Sequence, residues 1–189
     1  MKLAGIIYLH EISQDRIESR NLTIFRKLCG DKASKHVVLA TTKWRKVDES
    51  NGADREEELK SAFWNVMIRH GSPITRFEDN HTSAKQIVLA TLNTKRDPEV
   101  YLRIQKELVD LQKYLPQTDA GKFVSVDLQT QLSKSKRDLA ELRGLLGVGE
   151  DPALRTEYET LQQTIRSIQI QIQQMKVPFT RRILDLLGL

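Results

Sequence analysis

A single cysteine, Cys29, stands in 189 residues, so neither an internal disulfide nor a zinc site built on several thiolates can form within one chain. Glycine is scarce too. There are nine, and none falls in the Gly-x-x-x-x-Gly-Lys-Ser/Thr spacing whose backbone N–H groups would cradle phosphates. Aromatic residues reach 6% and charged residues 29%, which permits a core but a thin one. The apolar run "LAGIIYL" over residues 3–9 is far too short to span a bilayer and has no small-residue cleavage site after it. The expectation is a soluble, cytoplasmic chain with no membrane span.

Charge of one sign is also missing. Thirty basic residues face 25 acidic ones, and the net +5 comes mostly from the first fifty residues, with ten basic against six acidic. Arg26, Lys27, Lys32, Lys35, Lys43, Arg45 and Lys46 are too dilute, and too poorly interleaved with aromatics, for a dedicated nucleic-acid surface. A solvated face is the ordinary reading. Catalytic patterns fail in the same way. His10-Glu11 opens like a zinc-protease helix, but the second histidine would fall at Gln14. His36, His70 and His81 have no ligand spacing, and no Gly-x-Ser-x-Gly elbow occurs. Cys29 lies on the apolar side of a predicted helix, as a core residue would. No catalytic and no metal-ligating residue is assigned.

What is present is an alternating pattern. "LAGIIYLH" (3–10) and "HVVLATT" (36–42) are near-continuous apolar runs, as strands buried on both faces require, and "PITRF" (73–77) is a shorter third. Between and after them, 20–31, 54–71 and 82–93 carry helical spacing, with Gly30 and Gly71 placed as C-caps. The acidic run Asp54 to Glu58 is expected at a helix start, where it would complement the dipole. Strand and helix in strict alternation predict a parallel sheet with covering helices, in which ligands sit at the carboxyl ends of the strands. That directs attention to His10, to Thr42 and Lys43, and to the residues after Phe77.

Beyond residue 98 the period changes. A helical stretch over 99–115 lies between Pro98 and Pro116. Then Leu128, Leu132, Ser135, Leu139, Leu142 and Leu146 recur in steps of four and three. Leu154, Tyr158, Leu161, Ile165, Ile168, Ile172, Met175 and Phe179 do the same. This 3.5-residue repeat marks helices packed along a narrow seam. Gly147, Gly149, Asp151 and Pro152 end one helix and start the next, so the two should fold back as an antiparallel hairpin or pair with another chain. A protein partner, or self-association through this hairpin, is the expected interaction.

"LAGIIYLHEISQDRI", "NLTIFRKLCGD", "VVLATTKW", "REEELKSAFW" and "RFEDNHTSAKQIV" resemble, in order and over residues 3–92, a septin-like group of P-loop GTPases related to the immunity-associated GTPases and found in fungal G-domain proteins. The resemblance implies that "VVLATTKW" is the strand and loop reading the guanine base, and that "RFEDN" leads to the last base-contacting loop. Thr42, Lys43, Trp44 and Asn80 then form the guanine-base side, Lys43 lying along the base and Trp44 covering it. Arg45 stands where the family has the aspartate that pairs with guanine, and a guanidinium only donates. The implied ligand is GTP, with magnesium entering only if the motifs that hold it are supplied elsewhere.

The family's phosphate loop, first switch and magnesium-positioning segment would precede Leu3, whereas the chain begins at Met1. Phosphoryl transfer rests on those parts. The expectation is therefore a truncated G-domain relative with weak or no GTP binding and no hydrolysis by this chain alone, the alternative being a non-catalytic coiled-coil interaction or scaffold module. The expected fold is α/β: a partial three-layer parallel sheet, an incomplete P-loop fold, followed by a helical hairpin or coiled coil. Its divisions are a partial G domain over 1–95 with three strands and three helices, a helical linker over 96–122, and the hairpin over 123–189. The strand "GIIYL" is left as an apolar sheet edge.

Overall fold

The computed structural model describes residues 3–14, 19–93, 101–146 and 151–176. It is mostly helical with a small parallel sheet of three strands. It divides into two compact units, Met1–Leu111 and Gln112–Leu189.

In the first unit the strands β1 (Ile6–Glu11), β2 (Val37–Thr42) and β3 (Ile74–Arg76) lie in the order β1-β2-β3. All pairs are parallel, with Ile6 opposite Val37, Glu11 opposite Thr42, and Leu39 opposite Ile74. β2 is central, and Val37, Val38, Leu39 and Ala40 are fully buried, because a middle strand of a parallel sheet has both faces covered. Alternation distributes them. Val37 and Leu39 join Ile12, Leu22, Cys29, Leu59, Trp64 and Met67 on one face. Val38 and Ala40 meet Ile87 on the other, with Phe77 and Ala90 against them. The covering helices are α1 (Ser19–Cys29) on the first face and α4 (His81–Asn93) on the second. α1 ends at Gly30, whose φ of 75° suits a residue without Cβ. β1 is the sheet edge, and there Ile7 and Leu9 are 39% and 61% exposed, as the apolar edge expected of "GIIYL".

The helix predicted over 54–71 is longer and broken. α2 (Glu49–Glu58) starts after Asp48, passes into a π turn over Leu59–Phe63, stops at Trp64 and resumes as α3 (Asn65–Arg69). The wider turn carries a hydrogen bond from Trp64 N–H to the Leu59 carbonyl at 2.6 Å. Leu59, Trp64 and Met67 all reach the core across it, where a regular helix would turn one of them outward. Trp64 stands edge-on to Tyr8 and His10, with ring centroids 6.4 and 6.1 Å away. The expectation that Asp54 to Glu58 cap a helix start is corrected. These residues lie in the middle and last turns of α2, where the dipole does not favour acids. Within the stretch expected as a linker, α5 (Arg103–Gln105) packs against α1, and Leu102 packs against the core.

The second unit holds α6 (Asp119–Leu146) and α7 (Pro152–Gln174), which pack along each other. Joined by so few residues, they run antiparallel. Thr118 caps α6: its hydroxyl accepts the Gly121 N–H at 3.0 Å and donates to the Leu115 carbonyl at 2.7 Å. Gly121 is inside the helix, where a Cβ would collide with the Leu115 carbonyl. At α7, Asp151 accepts the Ala153 N–H at 2.8 Å and Pro152 takes the first helical position. The seam matches the 3.5-residue repeat, with Leu128, Ile165 and Ile168 buried and Leu132, Ser135, Leu139, Leu142, Leu154, Tyr158, Leu161, Ile172 and Met175 half-buried. Phe179 lies outside the described residues.

Candidate functional site

The three strands run parallel, so their carboxyl ends open onto one edge of the sheet, and three loops leave from it. Two backbone bonds bind these loops at their roots. Ile12 N–H donates to the Thr42 carbonyl at 3.0 Å, and Phe77 N–H to the Thr41 carbonyl at 2.8 Å. Two of the loops hold a non-glycine residue in the left-handed region: Lys43 at φ 65° after β2, and Asp79 at φ 54° after β3. Each costs about 1–2 kcal/mol relative to ordinary backbone, a cost tolerated where the surroundings demand it.

Thr42 ends β2, and Lys43 and Trp44 follow it on the loop. Thr42 donates its hydroxyl to the His10 carbonyl at 3.3 Å, tying β2 to β1. Lys43 is exposed. Trp44 is fixed from several sides. Its indole N–H donates to the Thr41 hydroxyl at 3.0 Å, and the Arg76 guanidinium lies 4.0 Å from its ring centroid. A Cβ at Gly52 would stand 2.8 Å from the same ring, so glycine there admits the indole. Asn80 is a helix cap. Its side-chain oxygen accepts the Ser83 N–H at 2.8 Å, while Ser83 in turn donates to the Asn80 carbonyl and accepts the Glu78 N–H, both at 3.0 Å. The four residues assigned to the base side thus occupy neighbouring loops of one edge, with Asn80 engaged at the start of α4.

The residues that organise this edge include two that sequence reading missed. Glu56, only 4% exposed, accepts two hydrogen bonds from Arg76, at 2.9 and 2.7 Å, and one from Lys60 at 2.9 Å. Burial pushes its carboxyl up, but the hydrogen bonds and charges of Arg76 and Lys60 outweigh that and leave it below the ordinary carboxylate value. The pair joins α2 to β3, and Arg76 then lies on Trp44. Nothing in the spacing of Glu56 and Arg76, twenty residues apart, signals the contact. A lone acid within an acidic run reads as solvated.

Nearby, Glu11 accepts from the Ser13 hydroxyl at 2.7 Å and from Lys46 at 3.5 Å. The Ser13 bond first, and Lys46 after it, hold its carboxyl below the usual range against the opposing effect of burial. Burial pushes His10 below its ordinary value, with Glu11 opposing. Cys29 is buried, and its thiol is pushed up to about 11 by desolvation, which suits packing and disfavours a thiolate. Among the described residues no three His, Cys, Asp or Glu side chains are grouped to hold a metal ion, and no helix is long and apolar enough to cross a membrane.

Guanine presents ring and amino N–H donors, and a carboxylate is the strongest acceptor for the pair. Arg45, next to Trp44 in the same loop, offers only donors. A guanidinium there cannot accept the ring and amino N–H groups; it suits only the O6 and N7 acceptors of the opposite edge. No family model, curated protein or solved structure matches the chain.

Proposed function

We propose that the first unit is a G-domain-type nucleotide fold in incomplete form, and that these 189 residues bind GTP weakly or not at all and do not hydrolyse it. One observation carries the ligand-binding part of this reading. The loops after β2 and β3 each place a left-handed non-glycine residue at the edge where open parallel sheets take their ligands. The sequential order β1-β2-β3, and the position of Thr42, Lys43, Trp44 and Asn80 at the carboxyl ends of β2 and β3, support the ancestry that the sequence resemblance implies. Arg45 in place of a carboxylate, and no phosphate-cradling glycine loop in the sequence, support the lack of turnover. Titration of the full chain with a fluorescent GTP analogue and magnesium should show at most weak saturation and no phosphate release above buffer. Micromolar affinity with measurable release would overturn the proposal.

A second reading, a non-catalytic interaction module, is favoured by the hairpin. A groove of about 800 Å³ runs between α6 and α7, lined by Leu142, Leu145 and Leu161 together with Asp138, Glu141 and Glu157. Light scattering behind a sizing column decides it. A stable oligomer, or a complex with a basic amphipathic helix, supports the module, and a monomer indifferent to such a helix counts against it.

A further inference from the structure

The loop after β2 and the first turn of α2 enclose a polar cleft of about 410 Å³ beside the base-side residues. Its lining includes Ser13, Arg45, Lys46, Asp48, Asn51 and Arg55. Three of these are cations and one is an anion. The Asp48 carboxylate is already approached by the Asn51 amide at 3.4 Å. Arg55 is held in place by a bond from one guanidinium N–H to the Ile12 carbonyl at 3.1 Å, which fixes one wall. Arg45 and Lys46 sit on the short 3₁₀ turn Trp44–Lys46 that the left-handed Lys43 launches from the end of β2. Asp48 and Asn51 bring the opening turn of the ten-residue α2 to the same cleft, and no side chain caps that turn. Its N–H groups and the positive end of its dipole add to the field of the three cations, against the carboxylates of Asp48 and Glu49 at the same turn.

Glu11 shows what this arrangement attracts. Its carboxylate, from the end of β1, takes a hydrogen bond from the Ser13 hydroxyl and an ion pair from Lys46, two of the groups that line the cleft. An internal anion thus stands at the cleft's margin and engages donors that an external one would use. The donor-only chemistry that prevents Arg45 from accepting guanine's N–H groups suits it to a phosphoryl group, which accepts at every oxygen.

We infer that this cleft is an anion site for a phosphoryl group of a small ligand, held by Arg45, Lys46 and Arg55 with Ser13 and the first turn of α2. The assignment goes beyond the base-side reading and does not need it. The group is engaged by charge and hydrogen bonds at the outer side of the β2 loop. No bond is made or broken.

The test is calorimetric titration of the full chain with inorganic pyrophosphate at constant ionic strength, beside titration with guanosine, which has no phosphate. Pyrophosphate should bind saturably. Arg45→Glu should weaken it about tenfold, the loss expected for one charge-assisted contact. Glu11→Gln should tighten it by a small factor, since it removes the competing internal anion. Arg45 is exposed, so its variant should keep the wild-type melting temperature, and the opposite sign expected for Glu11→Gln guards against a general loss of fold. Non-saturable pyrophosphate heat, or an affinity that Arg45→Glu leaves unchanged, would overturn the site. Guanosine binding with pyrophosphate silent would overturn it too, and would also count against the proposed lack of nucleotide binding. Pyrophosphate binding with guanosine silent upholds the site and agrees with weak or absent GTP binding.

Discussion

The two units bury their apolar residues in different ways. In the first, the four consecutive residues Val37 to Ala40 are wholly inaccessible, and the side chains that cover them come from α1, from the turns around Trp64, and from α4. In the hairpin, one seam does everything. Leu128, Ile165 and Ile168 are buried, while Val126, Leu145 and Ile170 stay more than half exposed. A sheet covered on two faces closes over its middle strand, whereas two helices in contact shield only the line between them. The first unit therefore depends on contacts distant in sequence, and the hairpin on a local repeat.

Four substitutions would break or sharpen that contrast. The largest effect is expected from Trp64→Ala, which empties the centre of the first unit and should cost about 3–5 kcal/mol. In a thermal melt monitored by near- and far-ultraviolet circular dichroism, the aromatic signal should be lost early while a helical transition from the hairpin persists. A single joint transition shifted as one would contradict the division into two units. Ile165→Ala should cost about 2 kcal/mol, toward the low end for such truncations because the seam is partly open. It should lower the helical transition and leave the aromatic one in place.

Glu56→Gln comes next. It removes the charge that holds Arg76 and Lys60, at a cost of about 1–2 kcal/mol, discounted because Arg76 is partly exposed. It also changes the acid limb. Glu56 is below its ordinary value of 4.5 when folded, so the stability it contributes is complete above that pH and is lost as pH falls through the folded value. Denaturant melts across that range should show a shallower acid loss in Glu56→Gln than in the wild type, and parallel curves would sink the assignment. The smallest effect belongs to Lys43→Gly, which relieves the left-handed backbone and should stabilise by at most about 1 kcal/mol. Stability gained with any nucleotide affinity lost would tie the strained residue to ligand binding, and stability gained with affinity intact would make the strain purely structural.

Much of this architecture is legible in the residues. The near-continuous apolar runs at 3–10 and 36–42 announce strands of a parallel sheet, and the glycines at 30 and 71 end helices where left-handed backbone is needed. The seam positions, the Asp151 cap and Pro152 are equally plain, because capping and heptad spacing act over a few residues. The π turn before Trp64 is not legible. Helical periodicity places Leu59, Phe63, Val66 and Met67 on one face, and only the demand of the core for Trp64 widens the turn. Nor does the sequence show that α2 starts at Glu49, since "ESNGAD" has weak helical propensity and is held in place by the buried Glu56 and Leu59 further along.

The candidate edge divides in the same way. Its location after Thr42 and after Phe77 can be read from strand pattern and from the geometry of parallel sheets, and Arg45 as a donor-only residue is visible by inspection. That Trp44 is bracketed by Arg76 and Gly52, that Asn80 is engaged in capping α4, and that Glu11, Ser13, Arg45 and Arg55 meet around one cleft are tertiary facts. The residues by themselves determined which segments become strands and helices, where the two units differ in period, and which chemistry the β2 loop cannot perform. Those properties are set within a turn or two of chain. The pairing of Glu56 with Arg76 and the convergence of three loops on one edge were decided only by folding, because each joins groups twenty or more residues apart through a sheet register that no local signal encodes.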